Sequence, residues 1–282
     1  MAEYPYTKKQ VDLEEIIANK NPKLKKLLPG FILRYIKKIV HEDFVNYFLE
    51  KNGSKYGVDF ANASIEEFNI KLQIMGEENI PSTGRYIFAA NHPLGGFDGL
   101  VLISVLNKHY KEIKFLVNDI LMNIINLKPL FLPINKHGAH SRENTEKINA
   151  AFESDIQILT FPAGLCSRKI KGKIIDLEWK KSFIAKAVKY KRDIIPVFFS
   201  GRNTDFFYNL SNIRKKLGIK ANLEMFFLVD ETLKHQNANI SIVFGKPVSY
   251  LTFDNSKTKQ EWANDMKMIV YEMGSRLKEL KG

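Results

Sequence analysis

The chain has 282 residues, of which 45% are hydrophobic, and a formal net charge of +12. These values exclude a disordered polar tract and predict a globular protein with a large buried core. The single cysteine, Cys166, excludes an intrachain disulfide and favours a reducing compartment. Because residues 1–10 lack the apolar core of a signal peptide and no apolar run approaches roughly 18 residues, we expect a cytoplasmic protein with only peripheral contact to the inner membrane surface.

The N-terminal part of the chain is predicted to be helical over residues 11–20, 30–50 and 62–70. Within residues 30–50, apolar and aromatic side chains recur at helical spacing opposite Arg34, Lys37 and Lys38. This amphipathic face either packs on its own domain or contacts lipid. The polar, Pro- and Gly-containing stretch 76–84 is the best candidate boundary, which divides the chain into a helical extension (1–82) and a second domain (83–282).

Strands and helices alternate over the remainder of the chain. Strands are predicted near residues 69–75, 85–90, 113–118, 130–134, 155–161, 194–199 and 239–244, and helices near 98–109, 143–153 and 178–191, followed by an amphipathic C-terminal helix. This order predicts an α/β fold with a mixed, mostly parallel sheet flanked by helices and preceded by an N-terminal helical extension. The aromatic residues of 203–233 either fill core or line an apolar channel.

The most informative stretch is Asn-His-Pro-Leu-Gly-Gly-Phe-Asp-Gly over residues 91–99, which follows an apolar strand. Parallel α/β sheets bind ligands at such strand ends. An imidazole has an ordinary pKa of about 6.5 and accepts a proton near neutral pH, and a neighbouring carboxylate fixes its tautomer. His92 and Asp98 are therefore the predicted general base and its partner, although Asp98 also suits the N-cap of the following helix.

Three further blocks end predicted strands in the same way. Residues 130–136 end on Asn135 and Lys136, residues 155–164 end on a Pro/Gly turn followed by Ser167 and Arg168, and residues 194–202 form the last block. Backbone amides, hydroxyls and cations at a sheet edge are suited to holding phosphate. Four blocks in this order are more specific than any one of them.

Together the blocks resemble the glycerolipid acyltransferase family, whose lysophosphatidate acyltransferases carry an Asn-His-(four residues)-Asp block and a Phe-Pro-Glu-Gly-Thr-Arg-Ser block. The resemblance covers roughly residues 70 to 250 and implies that His92 is the general base, that Asp98 supports it, and that Lys136 and Arg168 bind the acceptor or phosphate. The other residues expected to contact substrate are Asn91, Gly95, Gly96, Phe161, Pro162, Gly164 and Ser167. No metal or other cofactor is expected, because the spacing of His137 and His140 does not match a zinc site.

The chain departs from the family pattern at three places. Five residues instead of four separate His92 from Asp98, Ala163 replaces the usual Glu, and Cys166 occupies the usual Arg position. The sequence of residues 91–99 also resembles that of a branch of bacterial acyltransferases, once named haemolysins, that includes lyso-aminoacyl-lipid acyltransferases. The resemblance therefore implies transfer from an acyl carrier protein or coenzyme A thioester to a lyso-lipid acceptor, which is either an ornithine- or glycine-type lyso-lipid or 1-acyl-glycerol-3-phosphate.

The positive charge is concentrated in the second domain, because the charges of residues 1–82 cancel. Residues 168–192 are especially basic, and they form either a solvated face or a docking surface for an acyl carrier protein, coenzyme A phosphates or anionic lipid. Two other function classes remain open, a nucleic-acid-binding basic protein and a catalytically inactive anionic-lipid-binding protein. We expect no nucleic-acid partner because no recognisable binding motif is present, and the presence of both His92 and Asp98 argues against an inactive protein.

Overall fold

The computed structural model describes residues 4–20, 22–118, 121–122, 124–134, 141–219 and 222–279. Asn135, Lys136, His137 and His140 lie outside the described residues. The helices are α1 (Leu13–Lys20), α2 (Pro22–Leu27), α3 (Gly30–Ile39), α4 (Glu42–Asn52), α5 (Gly57–Glu67), α6 (Gly96–Leu106), α7 (Ser141–Glu153), α8 (Ser182–Tyr190), α9 (Asp205–Lys216), α10 (Leu228–Leu233) and α11 (Lys259–Glu279).

The strands form one large sheet and a separate hairpin. They are β1 (Lys71–Met75), β2 (Tyr86–Ala90), β3 (Ile113–Val117), β4 (Phe131–Pro133), β5 (Gln157–Thr160), β6 (Arg168–Ile170), β7 (Lys173–Ile175), β8 (Asp193–Phe199) and β9 (Asn239–Phe244). The sheet order is β1-β9-β8-β2-β5-β3-β4, in which only the β8–β9 pairing is antiparallel, and β6 pairs with β7. The predicted mixed, mostly parallel α/β sheet is confirmed.

The central strand β2 explains why the sheet is covered on both faces. Side chains alternate between the two faces of a strand, and here Phe88 and Ala90 belong to one buried cluster whereas Ile87 and Ala89 belong to the other. The first cluster includes residues of α5 and α6, and the second includes residues of α8 and α11. Since both faces are covered, β2 presents polar groups at its ends, and its carboxyl end leads into the turn of residues 91–95.

The predicted helix over residues 30–50 is two helices in the structure. His41 adopts a left-handed conformation with φ of 50° and separates α3 from α4. Phe44 and Phe48 of α4 are buried in the core, whereas Phe31 and Tyr35 of α3 are 65% and 55% exposed. The buried aromatic side chains of this segment thus lie on α4 and the exposed ones on α3, although Leu33 of α3 is also buried. No helix in the described ranges combines the length and hydropathy needed to cross a bilayer.

The sheet begins before the boundary predicted near residue 82. β1 lies N-terminal to that point and pairs in parallel with β9 over Lys71 to Met75. The preceding helix α5 packs against α6, which starts directly after the turn that follows β2. Residues 57–75 therefore belong to the same packed α/β unit as the strands that follow.

Candidate active site

The turn between β2 and α6 contains residues 91–95 and is shaped by Gly95. This residue has φ of 81° and precedes the first residue of α6, so it and not Asp98 is the N-cap. A Cβ atom at Gly95 would lie 3.0 Å from Leu228 Cδ2 and 3.1 Å from Cys166 Sγ. The positive φ favours glycine, and any larger side chain would also require Leu228 and Cys166 to shift.

The structure brings His92 and Asp98 together despite the five intervening residues. His92 Nδ1 lies 3.0 Å from Asp98 Oδ2, and the Leu94 N–H donates to the same oxygen at 2.9 Å. Asp98 is fully buried in the first turn of α6, whereas the His92 side chain is 14% exposed. The Asp98 carboxyl group therefore fixes both the imidazole and the turn that carries it.

Burial is the main influence on the pKa of the Asp98 carboxyl group. Burial raises the pKa of the Asp98 carboxyl group, and the hydrogen bonds from His92 and Leu94 act in the opposite direction. Asp98 Oδ1 has no hydrogen-bond partner within the described part of the chain, which adds to the cost of ionising the carboxyl group. Because Nδ1 faces Asp98, the second ring nitrogen, Nε2, is directed away from the carboxyl group.

Phe161 fixes the plane of the imidazole. Phe161 is the residue directly after β5, and its ring stacks on His92 with a centroid distance of 4.1 Å and an interplanar angle of 15°. Phe115 packs edge-on against the same phenyl ring at 5.2 Å. The imidazole is thus held by a hydrogen bond at Nδ1 and by an aromatic ring on one face, which limits its rotation.

Asn91 joins the ends of two neighbouring strands. Its side-chain amide donates to the Phe199 carbonyl at 2.9 Å and accepts from the Phe199 N–H at 2.6 Å. Asn91 is buried, and both polar atoms of its side chain are occupied by the end of β8. The structure therefore places this predicted substrate-binding residue in a supporting position behind the turn.

Asp176 is a buried residue at this site that sequence reasoning missed. Its Oδ1 accepts from the His92 N–H at 3.2 Å and from Ser167 Oγ at 2.6 Å, and its Oδ2 accepts from Trp179 Nε1 at 2.8 Å. The Ser167 N–H donates in turn to the His92 carbonyl at 2.7 Å. Ser167, predicted to bind substrate, is therefore part of a network that holds the backbone of His92.

The same network reaches the C-terminal helix. The Asp176 N–H donates to the Tyr271 hydroxyl at 2.7 Å, and Lys267 Nζ donates to the Asp176 carbonyl at 2.6 Å. Both residues lie on α11, more than 90 positions further along the chain. Short sequence motifs cannot predict contacts between such distant residues. The signal available in the sequence was an acidic residue, Asp176, within the basic stretch 168–192.

The Pro/Gly turn after β5 carries Pro162 and Gly164. Gly164 has φ of 69° and its N–H donates to the Phe161 carbonyl at 2.9 Å, while the Lys180 N–H donates to the Pro162 carbonyl at 3.1 Å. A Cβ atom at Gly164 would lie 2.9 Å from Lys180 Nζ. An exposed cation thus lies directly over this turn, close to the ring that stacks on His92.

Arg168, which the sequence predicted to bind the acceptor or phosphate, is buried. Arg168 Nη2 donates to Glu224 Oε1 at 2.8 Å, and Arg214 Nε donates to Glu224 Oε2 at 2.8 Å. Burial alone would raise the pKa of Glu224, but the Arg214 hydrogen bond and both positive charges lower it overall. Arg192, from the same basic stretch, is also buried and donates to the Phe152 carbonyl. Neither arginine is therefore part of a surface patch.

A cavity of about 720 Å³ lies beside the network and not at the imidazole. Its walls come from the β6–β7 hairpin, the end of β8 and α11, and they include Asn91, Pro93, Ser167, Ile174, Phe199 and Tyr271. His92 is not among the lining residues. The His92 side chain is 14% exposed, so the candidate reaction centre is the His92–Asp98 pair and not this cavity.

Comparisons with known proteins identify the family of this chain. The family model described as Acyltransferase matches residues 15–277. The lyso-glycine lipid O-acyltransferases of Bacteroides thetaiotaomicron and Phocaeicola vulgatus are 49% and 47% identical over 264 residues, covering 93% of this chain and 97% and 95% of those proteins. These matches confirm the resemblance found in the four sequence blocks.

A solved structure shows the same fold. The crystal structure of the 1-acyl-sn-glycerophosphate acyltransferase PlsC from Thermotoga maritima superposes with a TM-score of 0.50 at 17% identity, covering 94% of this chain and 93% of that one. At this identity the likeness concerns the fold alone. The family match over almost the whole length, together with two relatives of nearly half identical sequence, shows that this chain is an enzyme of the acyltransferase family.

Proposed function

We propose that the chain transfers a fatty acyl group from a thioester to the hydroxyl of a lyso-lipid, with His92 as general base. The observation that carries this proposal is the contact of His92 Nδ1 with the buried Asp98 carboxyl group, which leaves the partly exposed imidazole edge for substrate. A hydroxyl within about 3 Å of Nε2 would pass its proton to the ring as its oxygen attacks the thioester carbonyl, an effect typically worth about 100- to 10,000-fold.

The reaction needs no covalent enzyme intermediate. The acceptor oxygen forms a bond to the carbonyl carbon, the tetrahedral intermediate then expels the thiolate, and the imidazolium returns its proton to that sulfur. Cys166 is excluded as a nucleophile because burial raises the pKa of its thiol to about 12. Asp98 stabilises the imidazolium between the two proton transfers.

The developing oxyanion requires backbone donors close to His92. The amide of Gly96 is the better candidate, because Gly96 is exposed and occupies the first turn of α6, where helical N–H groups have no intrahelical partner. The amide of Gly164 is already committed to the Phe161 carbonyl. We assign the anionic part of the donor to Lys180, which lies over the Gly164 turn.

The acceptor is a lyso-glycine lipid in this proposal. Support comes from the two relatives that carry this activity in their names. The second predicted acceptor, 1-acyl-glycerol-3-phosphate, has less support because Arg168, the cation assigned to its phosphate, is buried against Glu224.

We place the enzyme on the cytoplasmic face of the membrane, in peripheral contact through α3, whose Phe31 and Tyr35 are exposed.

An in vitro assay tests this proposal. The purified full chain is offered palmitoyl thioesters of acyl carrier protein and of coenzyme A, each with lyso-glycine, lyso-ornithine or lysophosphatidate lipid, and products are identified by mass spectrometry. We expect O-acylated glycine lipid, and we expect His92→Ala to abolish its formation while circular dichroism and thermal unfolding remain as in the wild type. A normally folded His92→Ala variant with most of its activity would overturn the assigned base, and transfer to lysophosphatidate alone would overturn the assigned acceptor.

A further inference from the structure

Helix α9 has an apolar stripe that faces outward. Phe206, Leu210, Ile213 and Leu217 are spaced by four, three and four residues, so at 3.6 residues per turn they share one face of the helix. Phe206, Ile213 and Leu217 are 50%, 56% and 68% exposed. The core-facing side is a separate one, because Phe207 and Ser211 are buried. A surface helix ordinarily turns polar residues outward, so this second apolar face needs an explanation.

The exposed surface continues beyond α9. The Phe206 ring packs edge-on against Phe227 of the 3-10 helix Leu223–Phe227, with 4.9 Å between centroids. In the same 3-10 helix Phe226 is 53% exposed. Scattered single apolar residues are normal on protein surfaces, but several large ones in one patch mark an interaction site. We call the four α9 residues and Phe226 the α9 patch.

Positive charge is present at both ends of α9. Lys215 and Lys216 in its last turn are exposed, and neither has an ion-pair partner within the described ranges. At the first turn Lys169 and Arg202 share the single carboxylate of Asp205, at 2.8 and 2.5 Å, which leaves one positive charge in excess. An apolar strip with cations at its ends is complementary to the surface of a bilayer that contains anionic lipids.

The patch is adjacent to the reaction centre. The 3-10 helix leads directly into α10, whose first residue is Leu228. The Leu228 side chain packs close to Gly95, since a Cβ atom at Gly95 would lie 3.0 Å from Leu228 Cδ2. Three residues before Gly95 is His92. A membrane bound to the α9 patch would therefore meet the protein next to the turn that carries the imidazole.

We propose that the α9 patch is a lipid-contact surface that seats the enzyme on an anionic bilayer, in addition to the contact through α3. The inference rests on the proposed function only in that the acceptor is a membrane lipid. An acidic carrier protein is the alternative occupant, but large apolar side chains dominate the patch and cations lie only at the ends of the helix, which favours a bilayer.

Vesicle binding of the full chain without substrates tests the proposal. Co-sedimentation is measured with vesicles made of equal parts phosphatidylcholine and phosphatidylglycerol at physiological salt. We expect Ile213→Gln with Leu217→Gln to weaken partitioning by about tenfold or more, since two largely exposed aliphatic side chains no longer enter the interface. Circular dichroism and thermal unfolding confirm that the variant is folded.

A matched control removes two equally exposed apolar side chains elsewhere. Leu251 and Met268 are 71% and 60% exposed, and Leu251 lies near the start of β8, where the Tyr250 N–H donates to Asp193, whereas α9 follows the other end of that strand. We expect Leu251→Gln with Met268→Gln to bind vesicles as the wild type does. An equal loss in both double variants would overturn the proposal, because it would show a general effect of surface hydrophobicity.

Charge reversal separates the two parts of the surface. Lys215→Glu with Lys216→Glu is expected to lower binding to the mixed vesicles by about tenfold or more and to leave binding to pure phosphatidylcholine unchanged. Unchanged binding of the Ile213→Gln, Leu217→Gln variant to mixed vesicles, or a loss of binding to acyl carrier protein instead, would overturn the proposal. Because vesicle binding is read without turnover, failure of the proposed acyl transfer would not affect this result.

Discussion

Two buried carboxylates, Glu224 and Asp98, differ in their hydrogen-bond partners. Glu224 accepts hydrogen bonds on both oxygens, from Arg168 and Arg214, and lies wholly in the interior. Asp98 uses one oxygen for His92 and Leu94, while its other oxygen has no partner in the described part of the chain. Two permanent cations stabilise the ionised form of a carboxylate, so Glu224 stays deprotonated. A carboxylate paired with a partly exposed imidazole can instead support proton transfer by that imidazole. The first is suited to structure and the second to catalysis.

The largest expected effect is on the catalytic side of this comparison. Asp98→Asn keeps the size of the side chain but removes the charge that stabilises the imidazolium. We expect kcat to fall by about 100- to 10,000-fold while KM changes little, because the substrate does not contact Asp98. Steady-state kinetics with the preferred donor and acceptor measures this. A wild-type kcat in Asp98→Asn would contradict the assignment.

On the structural side, Glu224→Ala leaves two buried guanidinium groups unpaired. We expect the free energy of unfolding to fall by roughly 3–5 kcal/mol, measured by urea denaturation, with kcat per folded molecule retained. Glu146 offers a matched control, since its pair with Arg142 on α7 is exposed and Glu146→Ala should cost about 1 kcal/mol or less. If Glu224→Ala lowers kcat as much as Asp98→Asn does, the two carboxylates do not differ in the way described.

A smaller effect concerns the pH dependence of stability. The folded-state pKa of Asp98 is raised above its ordinary value of 3.8 by burial, so the native state binds this proton more tightly than the unfolded chain does. The resulting stabilisation is present at low pH and is lost as the pH rises through the folded pKa. We therefore expect the unfolding free energy of the wild type, relative to Asp98→Asn, to decline as pH rises from about 4. A difference that is constant with pH, in parallel urea titrations, would contradict the raised pKa.

The smallest effect is expected at Cys166, which lies between the two carboxylates in sequence and contacts Gly95. Since its thiol has a pKa of about 12, it remains protonated at neutral pH. Cys166→Ala should retain kcat and lower the free energy of unfolding by only about 1 kcal/mol. Slow alkylation of the native protein by iodoacetamide is expected as well. Loss of turnover in a folded Cys166→Ala variant would point to a covalent mechanism.

The features that sequence reasoning found were local ones. The strands of the large sheet were readable because most are short, largely apolar runs bounded by turn residues. His92 and Asp98 were found together because only five residues separate them. The β6–β7 hairpin was missed because Arg168, Lys169 and Lys173 interrupt its apolar pattern. Its turn, Lys171-Gly172, has positive φ at both residues, which matches a type I′ turn and was the available signal.

The features that were missed depend on distant partners. A sequence shows the charge of Arg168 but not its burial, and its partner Glu224 is 56 positions away. Asp176 meets His92 and Tyr271 across 84 and 95 positions. The break at His41 was missed because the apolar spacing continues across it from α3 into α4. Such contacts arise from the tertiary fold, so periodicity and motif spacing carry no record of them.

The tie between Asp176 and α11 bears on the order in which the enzyme becomes complete. The backbone of His92 is held by Asp176, and Asp176 is held by Tyr271 and Lys267 near the end of the described chain. During synthesis the N-terminal segments emerge first, so the His92 imidazole is made long before the helix that secures its support. A ribosome-bound chain that still lacks α11 would therefore carry His92 and Asp98 without their full scaffold, and transfer activity should mature only after α11 has been synthesised.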